Sequence, residues 1–259
     1  MINKIGKITI DCAFHLGRCY LMIKKIFFWF FHSKLEKREV FKQTVRVGVE
    51  SIGVVLLTSL FTGMVLALQT GYTSKNLFNE PLYVGTVVGF SLIKELAPVL
   101  TAVVVTGRVG SNITAEIGTM VITEQIDALY TLGTNPSTYL LIPRYLAFLI
   151  ALPILTLFAN VIGILGGFAV SYIKLGISST VYFDDIFQYM EVKDFIHGFI
   201  KTFFFGFAIA TISSYKGLYA SGGAEGIGKA TTDSVVLSMI FIFVIDYFVS
   251  SLLVIFGIT

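Results

Sequence analysis

Charge is scarce in this chain. Of its 259 residues, 14% are Asp, Glu, Lys or Arg, where a soluble globular domain carries roughly 25%. Hydrophobic residues make up 55% and the mean hydropathy is +0.83. These figures exclude an intrinsically disordered chain, a collagen and a coiled coil. Cysteine is scarcer still. Cys12 and Cys19, seven residues apart among lysines, have no zinc spacing, make no disulfide framework and read as free thiols. His15, His32 and His197 each stand away from a second ligand at helical spacing, and no serine has a motif-defined histidine or carboxylate partner. Neither a metal centre nor nucleophilic catalysis is therefore expected. The net charge of +3 comes from basic residues crowded at one end, which argues against a nucleic-acid binder. The class left is an all-α, multi-pass membrane protein.

A bilayer span needs about 20 mainly apolar residues, and five stretches qualify: Val47–Leu68, Leu82–Thr106, Tyr139–Tyr172, Phe195–Tyr215 and Val235–Phe256. A polar break, QTGYTSKNLFNEP, follows the first. The third is over-long and holds Pro143 and Pro153, so a kink or an interfacial start is expected there. Residues 1–46 form a separate unit, and residues 47–259 the membrane domain. In the first unit Ile2, Ile5, Ile8, Cys12, Leu16, Cys19, Ile23, Phe27 and Phe30 recur at helical spacing with Lys4, Lys7, Arg18, Lys24 and Lys25 between them. This pattern predicts an amphipathic helix in the headgroup region, with Trp29 at interface depth. A secretory signal peptide is the rival, but Asp11, His15 and Arg18 interrupt any apolar core.

Ten of the 19 basic residues precede Val47, and Arg108, Arg144, Lys216 and Lys229 fall on the same side of a five-span arrangement. The other side receives Lys75, Lys174 and Lys193. Fourteen against three places the N-terminus in the cytoplasm or its equivalent. Segments 107–138 and 216–234 are then cytoplasmic. No stretch between spans is long enough for a folded domain, so any energy-consuming domain is expected on another chain.

Five ionisable residues fall within or at the ends of spans: Glu50, Lys94, Glu95, Lys201 and Asp246. Each costs about 2.5–3.5 kcal/mol at a helix centre unless it faces a cavity or a partner. Glu50 and Lys201 stand near span ends, where they can snorkel. Lys94 and Glu95 lie near mid-span, and Pro98 deprives the Lys94 carbonyl of its helical donor and opens the helix there. A broken helix beside a lysine–glutamate pair fits either a ligand pathway or an internal ion pair that only holds helices together. Asp246 is open to the same two readings.

GGAEGIGKATT (222–232) has the spacing of a phosphate-binding loop at Gly223, Gly228 and Lys229. Ala230 replaces the magnesium-binding hydroxyl and no strand precedes it, so it reads as a flexible loop, with Thr231, Thr232 or Asp233 as helix caps. Gly63/Ala67, Gly85/Gly89 and Gly163/Gly167 offer close helix approach in lipid. Segment 107–138 is polar and reads as one or two short helices, with Thr123 a cap and Gly133 a stop. A short rigid helix there could receive force from a motor, or be an ordinary surface loop.

Residues 94–144, KELAPVLTAVVVTGRVGSNITAEIGTMVITEQIDALYTLGTNPSTYLLIPR, resemble the MlaE/YrbE family, the permease subunits of ABC transporters that move phospholipids between membranes. GIGKATTDSVV (226–236) and LALQTGY (66–72) match the same family, and the resemblance spans about residues 40–258. It implies a homodimer of permeases, each with an interfacial helix and five spans. It also implies an ABC ATPase of the MlaF kind that holds the ATP and magnesium, a partner with an MCE domain of the MlaD kind, and a phospholipid substrate. No cofactor or metal is implied in this chain, and no nucleic acid.

By that resemblance Thr123, Glu124, Gln125, Ile126, Asp127, Ala128 and Leu129 would form the coupling helix that docks on the ATPase. Gln69, Lys94, Glu95, Pro98 and Asp246 would lie near the lipid cavity. The family usually has arginine at Lys94 and glycine at Ala97. A lysine keeps the charge and loses the two-pronged donor. Two readings from other classes stay open: a non-transporting scaffold for an ATPase or lipid-binding partner, and an ion-coupled secondary transporter. Lysine outnumbers arginine 14 to 5, and 24 phenylalanines stand against 15 alanines. That bias points to an AT-rich genome, such as a plastid's or that of many bacteria. The expected site is a plastid membrane, the inner envelope, for a plastid-encoded chain, and a bacterial inner membrane otherwise.

Overall fold

In lipid every backbone polar group must find its partner inside the protein, and among the described residues helices alone meet that demand. The computed structural model describes residues 2–32, 35–78 and 83–257, without the side chains of residues 2–8, 11 and 12. Cys12 is among these, so its reading as a free thiol lies outside the described residues, as does the start of the second span at Leu82. Eight helices follow in order: α1 (Ile2–His32), α2 (Lys37–Phe78), α3 (Val84–Ile122), α4 (Gln125–Thr131), α5 (Ser137–Leu175), α6 (Ser179–Tyr189), α7 (Val192–Leu218) and α8 (Gly223–Ile255). Helices α2, α3, α5, α7 and α8 are long and apolar enough to cross a membrane. The protein is a multi-pass membrane protein.

The most apolar stretches of α3, α5 and α7 are half buried or more, against 28% for α2 and 22% for α8. The centre of the bundle is therefore α3, α5 and α7, with α2 laid along α5 and α8 against α7. Phe148, Leu152, Phe205 and Ile209 are fully enclosed between α5 and α7. Helix α6 is a short cap over the start of α3, begun by Ser178, whose hydroxyl accepts from the Val181 amide. Helix α1 runs against the start of α5 and the far end of α7. There His15 and the Tyr215 hydroxyl are 2.7 Å apart. Cys19, on the same helix, is a free thiol whose pKa burial pushes up.

The helices outrun the apolar stretches. Helix α2 continues through the polar residues Gln69–Lys75 to Phe78, so the described part of that break is helical. The second span runs on unbroken to Ile122. Only α4 is a separate short helix in segment 107–138. Thr123 caps nothing at its own side chain: its hydroxyl donates back to the Thr119 carbonyl, and Glu124 opens α4 in a left-handed conformation. Gly133, at φ 73°, does stand just past the end of α4. Residues 223–232 are not a loop but the first turns of α8, entered through Gly222 at φ 93°. Thr231 and Thr232 donate to carbonyls four residues back, and Asp233 pairs with Lys216 at 3.3 Å. None of the three is a cap. Capping and composition favour a loop, but an amphipathic helix that can rest on α3 and α7 wins.

Small residues sit where helices cross. A Cβ on Gly63 would lie inside the carbonyl of Gly163, and one on Gly85 would meet the Tyr182 carbonyl at 2.3 Å. The Ser59 hydroxyl donates to the Ala159 carbonyl beside the first crossing. Gly63→Val must push α2 off α5, at a cost of about 1–3 kcal/mol. It is expected to lower the thermal midpoint of the detergent-solubilised protein, while Gly53→Ala, where nothing lies within 4 Å of the added Cβ, leaves it unchanged. Equal midpoints for the two variants would contradict the crossing.

Candidate functional site: an intramembrane charge network

Pro98 sets the site. It has no amide to give to the Lys94 carbonyl, and the turn before it widens to a π turn over Leu92–Leu96, in which the Ala97 amide reaches back to the Leu92 carbonyl. The freed Lys94 carbonyl accepts from Lys201 Nζ of α7 at 3.1 Å. The same ammonium lies 2.5 Å from Glu95 Oε2 and 3.0 Å from Asp246 Oδ1 of α8. The other carboxylate oxygen of Glu95 accepts from Ser250 at 3.3 Å and stands 3.8 Å from His197 Nε2. One lysine thus ties α3, α7 and α8 together.

Its burial overturns one expectation. Lys201 does not snorkel: its side chain is 0% exposed, the centre of the network and not its edge. Lys94 and Glu95 do not pair with each other either. Successive helical residues diverge, and Lys94 turns to Asp194 Oδ1 at 2.7 Å, over the ring of Phe90. Asp194 does double duty. Its Oδ2 accepts from the Glu191 amide and so caps α7, leaving one oxygen for the lysine. A single-pronged ammonium suits that one remaining oxygen.

The network lies deep. Lys201 is nine residues from the start of α7, Asp246 nine from the end of α8, and Glu95 eleven from the start of α3. At 1.5 Å per residue these positions lie about 14–17 Å along their helices from the ends opposite α4, within the apolar length of the three spans. Yet the Glu95 side chain is 45% exposed. Gln69 is exposed on α2 and is not among the groups the network joins. Asp194, His197 and Ser250 were missed as site residues, although Asp194, His197 and Lys201 recur at positions i, i+3 and i+7 of one helix face. Glu50 is exposed near the opposite end of the bundle.

At the other end, α4 presents itself. None of its residues is buried; Glu124, Gln125, Asp127 and Ala128 are exposed, and Tyr130 and Leu132 leave 59% and 78% of their surface open. Ile126 alone packs partly onto the core. Behind it Glu116 of α3 receives Arg46 of α2 at 2.7 Å and the buried Arg144 of α5 at 3.2 Å. The Thr114 hydroxyl, within hydrogen-bond reach of Ser234, joins α3 to α8. The base of α4 is a fixed platform.

Residues 40–252 match the model of the family described as permease MlaE. The chain belongs to the MlaE permease family. A probable ABC transporter permease of Rickettsia typhi is 43% identical over 97% of this chain and 96% of its own. The chloroplastic protein TRIGALACTOSYLDIACYLGLYCEROL 1 of Arabidopsis thaliana is 38% identical over 85% of this chain and 62% of its own. The probable ABC transporter permease ycf63 of Pyropia yezoensis is 37% identical over 84% and 82%. The MlaE chain is thus an ABC transporter permease subunit, not itself catalytic, and an ABC permease works with an ATPase partner.

Removing the Lys201 ammonium strands two carboxylates in the middle of the bundle. Lys201→Met is expected to cost about 3 kcal/mol, the low end for a broken buried pair because Glu95 keeps part of its exposure. Adding Glu95→Gln should recover part of the loss, a coupling read from thermal unfolding of the two single variants and the double variant. Strict additivity would show that Lys201 and Glu95 do not act on each other.

Proposed function

We propose that this permease moves phospholipids or related lipids between membranes, through a cavity onto which the Glu95 face of the network opens. One observation carries the reading: a carboxylate 45% exposed eleven residues into a helix apolar enough to cross a membrane. A charged group there cannot face acyl chains and needs water, a polar headgroup or another protein surface beside it. A second copy of the chain would enclose such a space, which supports a homodimer with Glu95, Lys94, Pro98 and Asp246 near its cavity. Gln69 has less support, since it stands outside the network. The family supplies the class of cargo.

Helix α4, residues Thr123–Leu129 with its entry turn, is the proposed docking site for the ATPase, which would hold ATP and magnesium. Its exposed outer face, with no residue buried, and its fixed platform suit a surface that takes force from outside. ATP binding in the partner would press α4 and α3 would carry the displacement towards Glu95, shifting a two-state equilibrium of access to the cavity. An MCE-domain protein would continue the lipid path beyond the network end of the bundle. By the basic-residue count the α4 end faces the cytoplasm or stroma, in a bacterial inner membrane or a plastid inner envelope.

Glu124→Lys with Asp127→Lys is expected to abolish co-purification of the ATPase and ATP-dependent lipid movement in vesicles, with the fold intact. Glu95→Gln should leave the ATPase bound and slow lipid movement about tenfold or more. ATP-driven transfer unchanged in both variants would remove the support for α4 and for the cavity alike.

A further inference from the structure

Beside α4 lies a cavity of about 570 Å³ enclosed by α1, α4, the start of α5 and the end of α7. That size is in the range of ligand sites. Its charged lining is of one sign: Arg18, Lys24 and Lys25, all from α1. Among the described residues no carboxylate lines it, and none of these three cations enters an ion pair. The Arg18 guanidinium is held at the mouth, 4.0 Å over the ring of Phe14 and 4.9 Å from that of Tyr219. The floor is apolar, with Met22, Leu140 and Leu141 buried beneath it.

The same two helices carry a second space onward. A slot of about 150 Å³ lies between Ile23, Phe27 and Phe30 of α1 and Ile142, Leu146 and Leu149 of α5. Tyr145 also lines it, but its hydroxyl is committed to Thr211 at 2.9 Å, so the slot meets its ring. Ser137 of the first space and Leu149 of the second are about 18 Å apart along α5. Cations at the mouth followed by an apolar slot along the spans match an amphiphile with an anionic head.

We propose that this is a binding site for one anionic glycerophospholipid of the leaflet on the α4 side, its phosphate held by Arg18, Lys24 and Lys25 and an acyl chain laid between α1 and α5. Basic pockets between membrane helices recognise such headgroups by charge. The site is separate from the Glu95 network, which sits toward the opposite ends of α7 and α8. A free phosphate would use the mouth and leave the slot empty. An acidic protein segment would do the same. Ile126 and Tyr130 of α4 wall the mouth, so a bound lipid braces α4. The binding stands without the transport reading, and only this consequence for coupling rests on it.

The test is native mass spectrometry of the purified full chain in mild detergent, offered phosphatidylglycerol and phosphatidylcholine in equal amounts. The wild-type protein is expected to retain phosphatidylglycerol selectively. Arg18→Gln/Lys24→Gln/Lys25→Gln should weaken that retention about 100-fold. Leu21→Trp, which crowds the mouth with its charges kept, should weaken it as well. Lys37→Gln/Lys42→Gln, exposed cations on α2, should not. Equal retention of the two lipids, retention unchanged in the triple variant, or the same loss in the α2 variant would overturn the proposal. So would displacement of the lipid by inorganic phosphate, or protection of Lys24 and Lys25 from acylation by the ATPase partner alone.

Discussion

A lysine ammonium at the middle of a bilayer has no water to turn to, and the packing of three helices in this permease follows from how Lys201 is satisfied. Its three partners come from different causes. One is a backbone carbonyl that Pro98 has left without a donor, one the Glu95 carboxylate about three turns into α3, and one the Asp246 carboxylate on the last span. Taking a proline-broken turn and a buried lysine singly, each is a defect in lipid. Together they cancel, because the lysine supplies the donor that the proline withheld. This explains why the helix at Leu92–Leu96 widens without coming apart.

Two charge systems at opposite ends of α3 give the bundle its rigidity. At one end Glu95 gathers α7 and α8 through Lys201; at the other Glu116 gathers α2 and α5 through Arg46 and Arg144. Between them the contacts are apolar side chains and glycine crossings such as Gly63 on Gly163, where backbones touch and nothing can slide without a clash. Close approach of α2 and α5 and polar clamping of α3 are therefore complementary. The first fixes α2 on α5, the second fixes α3 to α7 and α8.

How much of this was legible before any coordinates depends on the range over which each signal acts. The five spans were readable because apolar length is a local property, and their true ends were not. Polar stretches such as Gln69–Lys75 and Gly223–Thr232 look like loops by composition, but they ride on helices already nucleated in lipid and continue them. Lys94, Glu95 and Asp246 stood out by cost alone. Their partners did not, because Asp194 and Ser250 lie 100 or more residues away in sequence and become neighbours only through the order in which helices pack. Lys201 was the most misleading. Its position near a predicted span end invited snorkelling, and only the packing of α8 over it closes that escape.

Helix α3 joins the two systems physically. It carries Glu95 in its first π turn and a second π turn at Thr106–Gly110, and it ends at Ile122, one short turn before α4. From Glu95 to Ile122 is about 40 Å of helix, stiff along its axis except where a wide turn lets hydrogen bonds re-register. Thr106–Gly110 is such a place, and it contains Gly107, whose added Cβ would meet nothing within 4 Å. A displacement of the α4 end would thus be carried along a rod with one compliant joint. The joint stands between Glu116, held by Arg46 and Arg144, and Glu95, held by Lys201 and Ser250. Glu95 keeps 45% of its side chain exposed there.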